Sequence, residues 1–207
     1  MPIENWLAFT AAAAILLAIP GPTILLVISY ALGHGRRPAA AMVAGVALGD
    51  LTAMTASMAG LGALLATSSE LFTLLRWVGA AYLVYLGLKL WRAPVQEAGA
   101  AAPSAGLGRI FGHAYAVTAL NPKSIVFFVA FVPQFLAAGA PFLPQVGVMI
   151  ATFVSMAAAN AALYALLAAS ARGALRRPAV QRAVNRTGGG LLMGAGLLSV
   201  LWRKAPA

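Results

Sequence analysis

The sequence has no cysteine and only four acidic side chains, Glu4, Asp50, Glu70 and Glu97, among 207 residues. Without cysteine there is no disulfide, no thiolate metal site and no thiol–disulfide relay. Histidine is nearly as scarce. His34 and His113 stand far apart, and His34 falls in a basic loop, so neither reads as a metal ligand or a catalytic base. No metal and no cofactor is expected. Charged residues of both signs make up 9% of the chain and hydrophobic ones 62%, against roughly 25% charged in a soluble domain. A surface so poor in charge cannot face water, so the solvent is a lipid bilayer. A secretory leader is not evident either: Glu4 stands where a basic segment belongs, and the first apolar run breaks at Pro20-Gly21-Pro22.

What the chain does have is apolar runs long enough to cross a membrane, which takes about 20 residues. Six qualify, at roughly 6–32, 39–65, 71–91, 110–137, 143–170 and 187–202. The first and fourth carry prolines near their middles, Pro20 and Pro22 in one and Pro122 in the other. A central proline removes a helical hydrogen bond and clashes with the preceding turn, so both spans are expected to be broken. The net charge of +10 is not read as a nucleic-acid signal. Nine arginines, from Arg36 to Arg186, lie in the first, third and fifth loops, while the second and fourth loops have no Lys or Arg. That asymmetry puts the odd loops in the cytoplasm and both termini in the periplasm.

The stretch from Ala93 to Gly108 is rich in Ala, Gly and Pro and reads as a flexible cytoplasmic linker. It divides one transmembrane domain, 1–207, into 1–92 and 110–207, joined by 93–109. Three spans per half would insert in opposite senses, the inverted-repeat plan of many secondary transporters. The halves correspond faintly: Ala18-Ile19-Pro20-Gly21-Pro22-Thr23-Ile24 with Ala119-Leu120-Asn121-Pro122-Lys123-Ser124-Ile125, Gly45-x-x-x-Gly49-Asp50 with Ser155-x-x-x-Ala159-Asn160, and Gly79/Gly87 with Gly188/Gly196. The expected fold is all-α: six transmembrane helices as two inverted three-helix repeats, the first and fourth broken at proline.

Asp50 is the most informative side chain. It lies about a dozen residues into the second run, roughly 18 Å deep at 1.5 Å per residue. A carboxylate there costs about 2.5–3.5 kcal/mol or more on insertion scales. It either binds a substrate ammonium, a coupling proton or both, or has a structural role, as counter-ion to Lys123, which lies at comparable depth, or as a cap on a broken backbone. Lys123 in turn either pairs with Asp50 or contacts a substrate carboxylate. Asn121 is a good helix N-cap and Pro122 a good first helical residue, an arrangement repeated by Gly21 and Pro22. Each break would turn backbone N–H groups and a positive helix end toward the midplane, which suits a carboxylate. Asn160 is buried in the fifth run and either joins this cavity or holds a helix. Gly45 and Gly49, four apart, favour close helix packing.

Taken in order, these residues resemble the lysine-exporter superfamily of bacterial amino-acid efflux proteins, and within it the homoserine/threonine exporter branch. The resemblance rests on Pro20-Gly21-Pro22, on Gly45-x-x-x-Gly49-Asp50 and on the run from Gly79 to Gly87. It continues with Asn121-Pro122-Lys123-Ser124-Ile125-Val126-Phe127-Phe128 and Phe131-Val132-Pro133-Gln134-Phe135. It implies a multi-pass inner-membrane protein that exports amino acids in exchange for protons, with Asp50 and the proline breaks in the functional core and Asp50 as the proton site. Members exporting lysine or arginine tend to carry an acidic residue shortly after the Asn-Pro pair. This chain has Phe127 there, which points to a neutral substrate.

The expected partners are therefore a small amino acid, protons and lipid, with no nucleic acid; a homo-oligomer is compatible with everything above. Export of another metabolite or ion is the nearest rival. A membrane enzyme would need a nucleophile–base pair or metal cluster that the runs do not offer, and a scaffold gives no reason to keep Asp50, Asn121 and Asn160 in a bilayer. The cysteine-free chain makes the topology easy to test. A cysteine replacing Ser104 should resist an impermeant thiol reagent in intact cells, and one replacing Ser69 should react. The opposite labelling pattern overturns the orientation.

Overall fold

A computed structural model describes residues 1–19, 21–34, 38–65, 106–137 and 139–170, with scattered positions between 74 and 92 and between 179 and 197. Pro20, Gly79, Gly188, Gly196, the linker before residue 106 and most of the expected third and sixth spans lie outside the described residues.

Helix α1 (Ile3–Ala18) begins after Pro2 with Glu4 in its first turn, where the positive end of the helix favours a carboxylate. Helix α2 (Pro22–His34) follows after a bend of 54°. Pro22 fits a first helical position because its fixed φ is already helical and its missing N–H would have had no partner. Helix α3 (Ala39–Leu65) runs unbroken. Helix α4 (Leu107–Ala119) stops at Leu120, and the chain restarts as α5 (Pro122–Val126). It then widens into a π-helical turn, Phe127–Phe131, and tightens into a 3-10 turn, Val132–Phe135. Helix α6 (Phe142–Ser170) is again continuous. Among the described residues, three segments are each long and apolar enough to span a bilayer: Ala39–Gly62, Leu107–Phe135 and Phe142–Ala168. The bent α1–α2 pair passes the same test when taken as one broken span. These are the first, second, fourth and fifth runs of the sequence, and the two breaks fall where proline placed them. The fourth span begins at Leu107 rather than 110, because the apolar face of α4 already starts beyond Gly106.

The buried residues form two apolar clusters. One contains Phe9, Ala13 and Leu16 of α1, Met54 and Met58 of α3, Phe127 and Phe128 after α5, and Met149 and Phe153 of α6. The other contains Val27 and Tyr30 of α2, Met42 and Val46 of α3, Ile110 and Ala114 of α4, and Ala161 and Ala165 of α6. Every spanning segment changes cluster partway along, and a polar residue marks the change: Thr23, Asp50, Thr118 to Ser124, and Asn160. The fold is thus two greasy halves separated by one polar layer.

Close helix contact holds the layer shut on one side. A Cβ on Gly45 would lie 2.6 Å from the Phe111 carbonyl oxygen and 2.9 Å from the Ala114 Cβ. One on Gly49 would lie 2.7 Å from the Thr118 Cβ. Backbone therefore rests on side chain and backbone where α3 crosses α4, the packing use of the glycine pair. Gly87 and Gly189 meet similarly, an added Cβ on Gly87 falling 2.6 Å from the Gly189 carbonyl oxygen. Replacing Gly45 or Gly49 by Val must push α3 off α4, and such overpacking costs about 1–3 kcal/mol. Gly60 has open space around it, so Gly60→Val is the control. Thermal unfolding in detergent should show the two α3–α4 variants melting several degrees lower and Gly60→Val unchanged; equal melting of all three would refute the close-packed crossing.

Candidate functional site

The breaks create the site because a helix end leaves backbone groups without intrahelical partners. Where α1 stops, the last four carbonyls are taken by side chains or by the end turn itself. The Lys123 ammonium donates to the Leu16 oxygen at 3.0 Å and to the Ile19 oxygen at 2.8 Å. The Asn160 Nδ2 donates to the Leu17 oxygen at 3.0 Å, and the Tyr164 hydroxyl donates to the Ala18 oxygen at 3.0 Å. The Ile19 N–H adds a turn-closing bond to the Leu16 oxygen at 3.3 Å. Asn160 and Tyr164 are four residues apart on α6, hence on one face, and that face clamps the end of α1.

The second break is organised by Asn121. Its Oδ1 accepts the Lys123 N–H at 3.1 Å, the N-cap bond expected of this residue, and Pro122 occupies the first helical position. Its Nδ2 donates to the Thr23 hydroxyl at 3.3 Å, and the Thr118 hydroxyl donates to the same oxygen at 3.2 Å. Thr23 is the second residue of α2, so this cluster ties one broken span directly to the other.

Asp50 reaches the layer from α3. It is only 3% exposed, and its Oδ1 is buried without a hydrogen-bond partner. Asp50, Gly21, Thr23, Asn121, Lys123, Ser124 and Asn160 all line one cavity of about 20 Å³. A space needs roughly 10–15 Å³ to hold a water, so this one admits a single water-sized guest and not an amino acid. Among the described residues no ion pair joins Lys123 to Asp50, and the ammonium is directed at carbonyls instead. Asp50 and Lys123 attract each other across the cavity without an ion-pair contact. A larger hollow of about 750 Å³ opens between α3 and the α4–α5 segment, lined mainly by apolar groups such as Ala56, Leu61, Leu120 and Ile125. It carries no charged group, and the charged layer is the better candidate.

The expected site residues thus assemble unevenly. Asp50, Gly21, Asn121, Lys123 and Asn160 share the cavity. Pro22 and Pro122 start the helices that face it, and Pro20 lies outside the described residues. Phe127 is buried in the apolar cluster against Phe131, with ring centroids 5.2 Å apart. Thr23, Thr118, Ser124 and Tyr164 were not foreseen. The signal for Thr23 and Ser124 was their matching place beside the prolines; Tyr164 was legible only as the i+4 neighbour of Asn160.

Comparison with known proteins places this geometry in context. The family model described as LysE type translocator matches residues 14–201. The chain is similar to the homoserine/homoserine lactone efflux protein of Salmonella typhi, 34% identical over 206 residues that cover 99% of this chain and 100% of that protein. It is equally similar, over 200 residues covering 96% of this chain and 97% of the relative, to a protein of Vibrio cholerae named only as an uncharacterized membrane protein. The leucine efflux protein of Salmonella choleraesuis is 34% identical over 141 residues, 67% of this chain and 66% of that protein. No solved structure matches the chain.

The clamp on α1 yields a direct test. Asn160→Ala leaves the Leu17 carbonyl unpaired in apolar surroundings, and Tyr164→Phe does the same for Ala18. Hydrogen bonds between membrane helices average about 0.6 kcal/mol with a maximum near 1.7. Each variant should lower unfolding stability within that range, and the double variant by more than either alone. A double variant as stable as the parent would show that the carbonyls need no partner.

Proposed function

The chain belongs to the LysE-type translocator family, and from that premise we propose that it is a secondary transporter exporting neutral amino acids and close derivatives in exchange for protons. The observation that carries this reading is Asp50, a buried carboxylate with an unpartnered oxygen in the cavity between two broken helices. A zwitterion brings an ammonium for the carboxylate and a carboxylate for backbone N–H groups. The first turns of α2 and α5 offer such groups at Thr23, Ile24 and Ser124, while the Lys123 N–H is already held by the Asn121 Oδ1.

The names of the relatives sharpen the chemistry. Homoserine, its lactone and leucine have an α-ammonium in common, whereas the lactone has no free carboxylate. The ammonium–Asp50 contact is then the shared element of recognition, and the helix N-termini at Gly21-Pro22-Thr23 and Asn121-Pro122 select the acids. Phe127, where cationic-substrate exporters tend to be acidic, leaves the layer without a second carboxylate, which supports a substrate with no charged side chain. A proton replacing the ammonium on Asp50 after release would couple outward substrate movement to inward proton movement at one residue.

The same reading includes six spans as two inverted repeats, 1–92 and 110–207, joined by a cytoplasmic linker at 93–109. It also places both termini in the periplasm of the bacterial inner membrane. The glycine contact between Gly87 and Gly189 supports it, because it sets the third span against the sixth.

Uptake of a panel of amino acids into inverted vesicles with an acidic lumen, the counterpart of cellular export, tests the proposal. Asp50→Asn keeps the size and hydrogen-bonding capacity of the side chain but removes its charge and proton site. Transport of homoserine, its lactone and leucine-like substrates should fall at least 100-fold, with protein still in the membrane. Lys123→Met added to Asp50→Asn should not restore it. pH-driven export by Asp50→Asn alone, or by the double variant, would sink the assignment of Asp50.

A further inference from the structure

We infer that the break in the first span is a monovalent-cation site whose cation is built into the chain: the Lys123 ammonium occupies the place a free sodium- or ammonium-like ion would take. The cradle consists of the Leu16 and Ile19 carbonyl oxygens, which converge on one nitrogen at 3.0 and 2.8 Å. They belong to the C-terminal end of α1, where aligned peptide dipoles amount to roughly half a negative charge. Asp50 lines the same cavity with a buried, unpartnered oxygen, so the place is negative on two sides. In transporters with interrupted helices, such half-helix C-termini and unwound carbonyls hold coupling cations.

Gly21 keeps the place open. A Cβ there would stand 3.3 Å from the Lys123 Nζ and 3.4 Å from its Cε, so a side chain at this position would crowd the ammonium. Lys123 comes from the other broken span, one residue past the start of α5. Its stem crosses between the spans, and the charge that fills the first break is supplied by the second. The cavity that Lys123 lines is about 20 Å³ with the ammonium in place, and shortening the side chain enlarges it by the space the ammonium held. A tethered cation removes any requirement for a dissolved one, and it faces Asp50 across the cavity without a direct ion-pair contact. This inference goes beyond the export reading and does not depend on which substrate is carried.

The test is thermal unfolding of the purified full-length protein in sodium, potassium, methylammonium or choline chloride at one ionic strength. The wild type should melt at the same temperature in all four. Lys123→Ala should melt lower in choline, which is too large for the cradle, and recover by roughly 3 °C or more in sodium or methylammonium. An unchanged melting temperature of Lys123→Ala across the four salts overturns the proposal, as does a wild type that responds to sodium as the variant does. If Lys123→Ala does not accumulate in any salt, Lys123→Gln decides. It retains an N–H donor for the carbonyls without the charge and should melt well below the wild type; wild-type melting would show that a neutral donor suffices and overturn the cation site. Substrate exchange by the wild type in choline medium is followed in parallel. Its absence for every amino acid would defeat the export reading while leaving the melting result to stand.

Discussion

A helix that ends in the middle of a bilayer leaves carbonyls that no water can satisfy, and the architecture of this protein follows from meeting that demand. At the end of α1, Leu16, Leu17, Ala18 and Ile19 each accept a bond from Lys123, Asn160 or Tyr164. In hydrocarbon an unsatisfied backbone group costs several kcal/mol, so these donors cannot be spared. Two of them fix α6 against α1, and the third fixes the second break against the first. The polar layer between the apolar clusters is the set of residues that makes a mid-membrane break tolerable, and the same residues leave Asp50 at its centre.

Much of this was legible in the sequence because the signals are local. Proline inside an apolar run forces a break wherever the fold places it. Asn121 before Pro122 announces an N-cap. Asp50 in a run of small and apolar residues has to be buried, and two glycines four apart invite a neighbouring helix. What was not legible depends on partners far away in the chain. Lys123 and Asp50 at equal depth read as an ion pair, since sequence reveals depth but not azimuth. In the structure the ammonium, with three donors and no acceptor, goes to helix-end carbonyls. Tyr164 carried no signal, because nothing nearby in sequence shows that the Ala18 carbonyl needs it. The π-helical turn at Phe127–Phe131 has no propensity signature either; it lets Phe127, Phe128 and Phe131 crowd into one aromatic cluster with Phe153.

The relatives named for homoserine, its lactone and leucine point to substrates that share an α-amine and differ in side chain. With the polar layer as the proposed site, its helix-end N–H groups, hydroxyls, amides, the Asp50 carboxylate and the Lys123 ammonium would meet the ammonium and, where present, the carboxylate of a substrate rather than its side chain. Discrimination would then fall to the apolar walls on either side, where a methylene changes binding by only about 1–3 kcal/mol.

The size of the central cavity decides what movement transport requires. At about 20 Å³ it excludes any amino acid, so admission demands that elements of the layer separate. The contacts differ in how readily they can part. The carbonyl clamp involves a charge and the backbone, and its loss would strand the Leu17, Ala18 and Ile19 carbonyls at once. The Thr23–Thr118–Asn121 cluster consists of neutral side-chain bonds of 3.2 and 3.3 Å, longer than the usual hydroxyl bond of about 2.7–2.8 Å. Each of its members could bond a substrate carboxylate as well as it bonds its neighbour. Helix α2 packs in one apolar cluster and α1 in the other, with the bend between them. Rotation of α2 about that bend would open the hydroxyl cluster and leave the clamp intact. On the proposed reading, the weaker contacts would part to admit the substrate while the stronger ones held the pivot.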